Sequence, residues 1–188
     1  MSKPILQVII ASTRPKRMGG MVGEWFAQEA RENGKFEVEV TDLRELGLPM
    51  MNEPNHPRMQ DYQYEYTKNW SSIIERSDAI VFVMPEYNFG FNAPLKNAID
   101  YLYNEWSYKP VGFVSYGGIS GGLRATQMLK EVVTTVKMIP IMEQVAIPMV
   151  FNNIQDGKYI PTEIVTQSAT VLLDELARFQ EATAQLRK

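Results

Sequence analysis

Short apolar runs rich in β-branched residues alternate with helical patterns along this chain of 188 residues. Residues 4–11 (PILQVIIA) and 79–84 (AIVFVM) are nearly continuous apolar runs, and residues 111–116 (VGFVSY) and 145–147 are similar but shorter. Such runs are typical of strands buried on both faces of a parallel sheet. Residues 36–40 (FEVEV) alternate strictly, which predicts a fifth strand with one face in water.

Apolar stripes with spacings of three and four residues predict helices between and after these strands. One stripe runs from Leu95 to Leu102, with Asn92 as the expected N-cap and Pro94 in the first turn. Two others run from Ala125 to Val136 and from Val165 to Phe179. The alternation predicts an α/β fold, a parallel sheet with right-handed crossovers and helices on both faces. Five strands favour the flavodoxin-like order 2-1-3-4-5 over a six-stranded dinucleotide-binding fold.

Length, charge and cysteine content narrow the class of protein. The length suits a single domain spanning residues 1–188, with a proline-rich surface loop at residues 47–62. The net charge of −3 argues against nucleic-acid binding. Without cysteine, disulfides, zinc–thiolate sites and thiol redox chemistry are excluded, so a redox function requires a bound cofactor. The N-terminal apolar run is too short to span a membrane and does not match a signal peptide, so we expect a cytoplasmic protein.

Three segments directly follow predicted strands and are the candidate binding loops. They are residues 12–20 (STRPKRMGG), 85–92 (PEYNFGFN) and 117–122 (GGISGG). Ligands of open parallel sheets bind outside the carboxyl ends of the strands, so these loops should meet at one site.

The first loop offers hydroxyl groups and cations ahead of a helix expected to begin near Met21. Backbone N–H groups and the helix dipole favour a phosphate there, and Arg14 and Arg17 can add forked, charge-assisted hydrogen bonds. The loop matches neither the P-loop pattern nor G-x-G-x-x-G. It predicts a ligand with one terminal phosphate, with a solvated basic turn as the alternative.

The second loop combines a proline, an acid, aromatic residues and an amide. Pro85 is expected to stop the strand, which would leave the N–H groups of Glu86, Tyr87 and Asn88 free to face a planar ring. Tyr87 and Phe89 would flank that ring. A helix-capping turn with packed aromatic residues is the alternative.

The third loop contains the G-x-S-x-G pattern of a hydrolase nucleophile elbow at residues 118–122. An α/β-hydrolase needs a histidine after the serine, whereas the only histidine, His56, precedes Ser120. Close approach of the backbone to a flat ligand explains the glycines better, with a flexible turn as the alternative.

In this order, residues 11–20 (ASTRPKRMGG), 85–102 (PEYNFGFNAPLKNAIDYL) and 115–122 (SYGGISGG) closely resemble the NADPH-dependent FMN reductase family, which includes quinone, azo-dye and chromate reductases. The resemblance spans residues 5 to about 150. It implies that the FMN phosphate binds near Ser12, Arg14 and Arg17, and that residues 85–88 lie along the isoalloxazine ring. The full set of implied FMN-binding residues is Ser12, Thr13, Arg14, Arg17, Met18, Gly19, Pro85, Glu86, Tyr87, Asn88, Phe89, Ser115, Tyr116, Gly117 and Gly118.

The resemblance also implies a reaction. NADPH or NADH would give hydride to N5 of FMN, and the reduced ring would pass electrons to a small-molecule acceptor such as a flavin, a quinone or an azo compound. No catalytic side chain and no metal are needed. The family likeness implies a homodimer or homotetramer. A non-enzymatic, flavodoxin-like electron carrier is the alternative, although such carriers tend to be strongly acidic.

Overall fold

The computed structural model of the protein describes residues 3–187. The strands and helices are, in chain order, β1 (Ile5–Ile10), α1 (Gly19–Asn33), β2 (Glu37–Asp42), α2 (Leu43–Leu46), α3 (Glu65–Glu75), β3 (Ala79–Tyr87), β4 (Gly90–Phe91), α4 (Ala93–Asp100), β5 (Pro110–Tyr116), α5 (Leu123–Thr135), β6 (Ile139–Ile147), β7 (Ile154–Gln155), β8 (Lys158–Tyr159) and α6 (Glu163–Thr183). Among residues 3–187, no helix is long and apolar enough to cross a membrane.

The five long strands form a parallel sheet in the order β2-β1-β3-β5-β6. When only these five are counted, the order is 2-1-3-4-5, so the predicted flavodoxin-like sheet is confirmed. The short β4 pairs with β3 in antiparallel fashion, and β7 and β8 form a separate hairpin. The carboxyl ends of β1, β3 and β5 therefore meet at one edge of the sheet.

Helices cover both faces of this sheet, as the apolar runs predicted. Successive strand side chains point to opposite faces, so Val81 joins the core beneath α1 and α6, whereas Phe82 joins the core beneath α3, α4 and α5. Phe26 and Leu172 fill the first core, and Trp70 lies in the second. All five side chains are fully buried.

One helix boundary and one helix cap differ from the sequence prediction in ways that affect the loops. The first helix begins at Gly19, two residues before Met21. Asn92 does precede α4, but its side chain does not cap that helix. Instead, Asn92 Nδ2 donates to the carbonyl of Ala11 at 2.7 Å, which ties the end of β1 to the start of α4.

The prediction that Pro85 stops the third strand is wrong. Pro85 lies opposite Tyr116 of β5, and β3 continues to Tyr87, which pairs with Gly90 of β4. The proline is tolerated because β1 pairs with β3 only as far as Val83, so its missing N–H group lies beyond that ladder. Residues 88 and 89 form a two-residue hairpin connection with φ of 50° and 71°, as in a type I′ turn. Glu86 and Tyr87, whose N–H groups were expected to be free, are therefore strand residues of this hairpin, and Asn88 lies in its turn.

Candidate functional site

The three predicted loops border one open cleft at the carboxyl ends of β1, β3 and β5. Most of the predicted residues line it, namely Ser12, Arg14, Arg17, Met18, Pro85, Glu86, Tyr87, Tyr116, Gly117 and Gly118. Lys16, Val150 and Phe151 also line the cleft and were not predicted. The loops were selected because ligands bind at the carboxyl ends of parallel strands, and we call this the strand-end rule. The structure brings these loops together as expected.

Arg17 fixes the first loop to the neighbouring edge of the sheet. Its guanidinium donates to the carbonyl oxygen of Ser12 at 2.6 Å and forms a two-pronged ion pair with Asp42 at the end of β2. Both side chains of the pair are mostly buried, with 11% and 19% of their surface exposed. The guanidinium of Arg17 thus positions the loop, while its expected contact with a phosphate stays a prediction.

Two further cations of this loop face solvent at the cleft. Arg14 places its guanidinium 5.6 Å from the centre of the Tyr87 ring, and Lys16 is exposed. Neither side chain forms an ion pair within the described part of the chain. Helix α1 begins directly after the loop, and Met18 at its N-cap position makes no side-chain cap. Exposed cations beside an uncapped helix N-terminus favour an anion.

The floor of the cleft contains a buried hydroxyl group without a hydrogen-bond partner. It is Oη of Tyr116, which no side chain or backbone group within residues 3–187 satisfies. Burial raises the pKa of Tyr116, so the phenol keeps its proton at neutral pH and remains a donor. Gly19 packs against this hydroxyl so closely that a Cβ at position 19 would overlap it. Ser12 is also buried here, with Oγ 3.2 Å from the hydroxyl of Tyr87.

The third loop is held by the segment that follows β6. Gly117 donates its N–H to Ile147, and the carbonyls of Gly117 and Gly118 accept from Val150 and Met149 at 3.2 and 2.9 Å. This pairing brings residues 150 and 151 into the cleft. A Cβ at Gly118 would meet no atom within 4 Å, so the backbone there is open to a flat ligand.

The side chain of Glu86 is largely covered at the start of α5 and accepts the free N–H groups of that helix. Its carboxylate accepts from Ser120 Oγ at 2.6 Å and from the N–H groups of Arg124 and Ala125 at 3.1 and 3.3 Å. Burial by itself raises the pKa of Glu86, but these hydrogen bonds outweigh it and hold the pKa below its ordinary value. Since Gly122 at the N-cap has no side chain, Glu86 takes over the capping role.

The same contacts explain the G-x-S-x-G pattern. The hydroxyl of Ser120 hydrogen-bonds to a carboxylate, whereas His56 accepts the N–H of Arg58 with Nδ1 at 3.1 Å and packs near Tyr103. Gly121 and Gly122 have φ of 61° and 87°, and these positive values make glycine favourable at the turn into α5. The pattern is therefore structural.

The remaining predicted residues lie around the cleft without lining it. Ser115 is fully buried and donates to the carbonyl of Gly121 at 2.9 Å, so it supports the third loop from inside. Asn88 and Phe89 form the hairpin tip, where the exposed Phe89 ring stacks under the guanidinium of Arg124 at 4.2 Å. Thr13 faces a neighbouring cavity on the other side of the first loop.

Comparison with known proteins places this arrangement in a family. The model of the NADPH-dependent FMN reductase family matches residues 5–152. An NAD(P)H-dependent FMN reductase of Schizosaccharomyces pombe is 42% identical over 149 residues, which are 77% of this chain and 74% of that protein. An NADPH azoreductase of a Bacillus species is 27% identical over 157 residues, covering 81% and 82% of the two chains.

A solved structure shows the same fold. FerB of Paracoccus denitrificans, a flavoenzyme NAD(P)H:(acceptor) oxidoreductase, superposes with a TM-score of 0.77 at 22% identity, covering 96% of this chain and 98% of that one. Since the family match spans most of the chain, including all three loops of the cleft, the protein is an oxidoreductase that belongs to the NADPH-dependent FMN reductase family.

Proposed function

We propose that this enzyme binds FMN in the cleft and passes electrons from NADPH or NADH to a small-molecule acceptor. FMN is the cofactor and NAD(P)H the electron donor of the family. When bound, FMN supplies hydride chemistry at N5. The observation that carries the proposal is the pairing of an anion-favouring loop with a flat, open backbone surface in one cleft.

The phosphate end of FMN fits the first loop. Arg14 and Lys16 supply exposed positive charge, and the first N–H groups of α1 add the helix dipole. Arg17 keeps the loop in place through its ion pair with Asp42. In this assignment Arg14 is the strongest side-chain anchor of the phosphate.

The ring end of FMN fits between the second and third loops. Gly118 has open space beside its backbone, and Gly117 and Tyr87 also line the cleft. The hydroxyl of Tyr116 is a buried donor that lacks an acceptor and can meet a polar atom of the cofactor. Glu86 is occupied by α5 and transfers no proton, which agrees with a mechanism that requires no side-chain acid or base.

The acceptor is proposed from chemistry and family relatives together. A relative is named an azoreductase, and the donor and the acceptor would occupy the same flavin face in turn. We propose flavins, quinones and azo compounds as acceptors. A homodimer or homotetramer in the cytoplasm completes the proposal.

Initial-rate kinetics on the purified, FMN-loaded protein test the proposal. NADPH oxidation should proceed with a free flavin, quinone or azo dye and no protein partner, and double-reciprocal plots at several acceptor concentrations should be parallel. Intersecting lines would contradict the shared face. Oxidation only in the presence of a redox partner protein would favour an electron carrier.

A further inference from the structure

A second cavity lies on the other side of the first loop from the FMN cleft. Its volume is about 360 Å³, within the range of roughly 300–1,000 Å³ that is usual for small-molecule sites. Thr13 lines this cavity, while its chain neighbours Ser12 and Arg14 line the cleft. Consecutive Cα atoms are about 3.8 Å apart, so the two sites are immediate neighbours.

The walls of this cavity are mainly apolar and firmly held. Leu43, Leu48 and Pro94 contribute to them. Asn97, which is buried, donates Nδ2 to the carbonyl of Pro49 at 2.7 Å and accepts the N–H of Met51 at 2.8 Å. These bonds fix residues 49–51 over α4, so the cavity is shaped before any ligand arrives.

Arg44 provides a positive charge at the rim. Its backbone N–H donates to Asp42 at 2.9 Å, but the Asp42 carboxylate is already paired with Arg17. The Arg44 side chain is exposed, and its guanidinium makes no ion pair or hydrogen bond to any residue in the range 3–187. An apolar slot with one unpaired guanidinium suits a flat ring that carries a phosphate.

We propose that this cavity binds the adenosine end of NADPH, with Arg44 pairing with the 2′-phosphate. The inference rests on the proposed function, because the nicotinamide end must then lie in the adjacent FMN cleft. The apolar walls suit the adenine ring, and the guanidinium distinguishes NADPH from NADH, which has no 2′-phosphate. A neutral quinone would gain nothing from Arg44.

Kinetics on an Arg44→Ala variant, loaded with FMN, provide the first test. The kcat/KM for NADPH should fall about tenfold, the effect of losing one charge-assisted contact at an exposed site, while that for NADH should stay unchanged. Arg44→Lys should lie in between, because lysine keeps the charge but loses the fork. Arg31→Ala, which removes an exposed arginine from the last turn of α1, is the matched control and should change neither value.

Calorimetric titration provides a readout that does not depend on turnover. The wild type should bind adenosine 2′,5′-bisphosphate more tightly than adenosine 5′-monophosphate, and Arg44→Ala should remove that difference. Equal losses for NADPH and NADH, or a higher KM for the acceptor alone, would overturn the assignment. If neither nucleotide is oxidised but the bisphosphate still binds through Arg44, the proposed function fails and this site stands.

Discussion

Replacing Glu86 by glutamine should destabilise the protein through the start of α5. The wild-type carboxylate accepts two N–H groups of the first turn and the hydroxyl of Ser120, and only 8% of the side chain is exposed. A neutral amide loses the interaction with the helix dipole and turns an NH₂ group toward donors. Loss of a helix cap and of charge-assisted hydrogen bonds suggests about 1–3 kcal/mol in the free energy of unfolding. For a chain of this length, 2 kcal/mol corresponds to roughly 4–8 °C in Tm.

Urea unfolding of the FMN-free protein at pH 7 and pH 4 measures this effect and its cause. Because hydrogen bonds hold the folded-state pKa of Glu86 below the ordinary 4.5, its contribution is complete above that pH. It is lost as the pH falls through the folded-state value, so the difference between wild type and Glu86→Gln should narrow in acid. Glu131→Gln, an exposed change in the same helix, controls for the lost charge. The capping argument would be refuted if Glu86→Gln and Glu131→Gln were equally stable at pH 7. It would also be refuted if the difference in stability between wild type and Glu86→Gln did not change with pH.

Three further substitutions test other parts of the cleft. Arg14→Ala should weaken FMN binding about ten- to a hundredfold and leave riboflavin affinity unchanged, as measured by parallel titrations; equal weakening of both would assign Arg14 to the loop and not to the phosphate. Gly19→Ala should lower the free energy of unfolding by about 1–3 kcal/mol through overlap with the Tyr116 hydroxyl. Adding Tyr116→Phe to the same chain should restore part of that stability in urea unfolding, and no restoration would contradict the overlap. Ser120→Ala should cost about 1 kcal/mol, because Glu86 loses one donor, and keep NADPH oxidation within a few fold; loss of an esterase activity would instead revive the hydrolase alternative.

The sheet and its binding edge were predictable because they depend on the pattern of buried residues. Runs such as residues 79–84 are buried on both faces, and this is typical of a parallel sheet with helices on each side. Once the strands are placed, the strand-end rule selects the three loops without any knowledge of contacts. The rule missed Val150 and Phe151 because only the last three residues of β6 stood out in the sequence, so the segment after it was not considered.

Other features depend on three-dimensional register and could not be read from the chain. The hairpin beyond Pro85 turns at Asn88 and Phe89, and a phenylalanine at positive φ gives no turn signal. The pairing of Arg17 with Asp42 follows from the alignment of β1 with β2, in which Ile10 lies opposite Asp42. A cation that the sequence assigned to a ligand thereby also holds its own loop in place.

This ion pair separates the effect of ionic strength on binding from its effect on structure. Salt screens exposed charges strongly and partly buried pairs much less. Raising the salt concentration should therefore weaken the attraction between the exposed Arg14 and an incoming phosphate, while the Arg17–Asp42 pair continues to hold the backbone of the loop. The protein should therefore release its cofactor in concentrated salt and keep the empty loop in a shape that takes the cofactor back when the salt is removed.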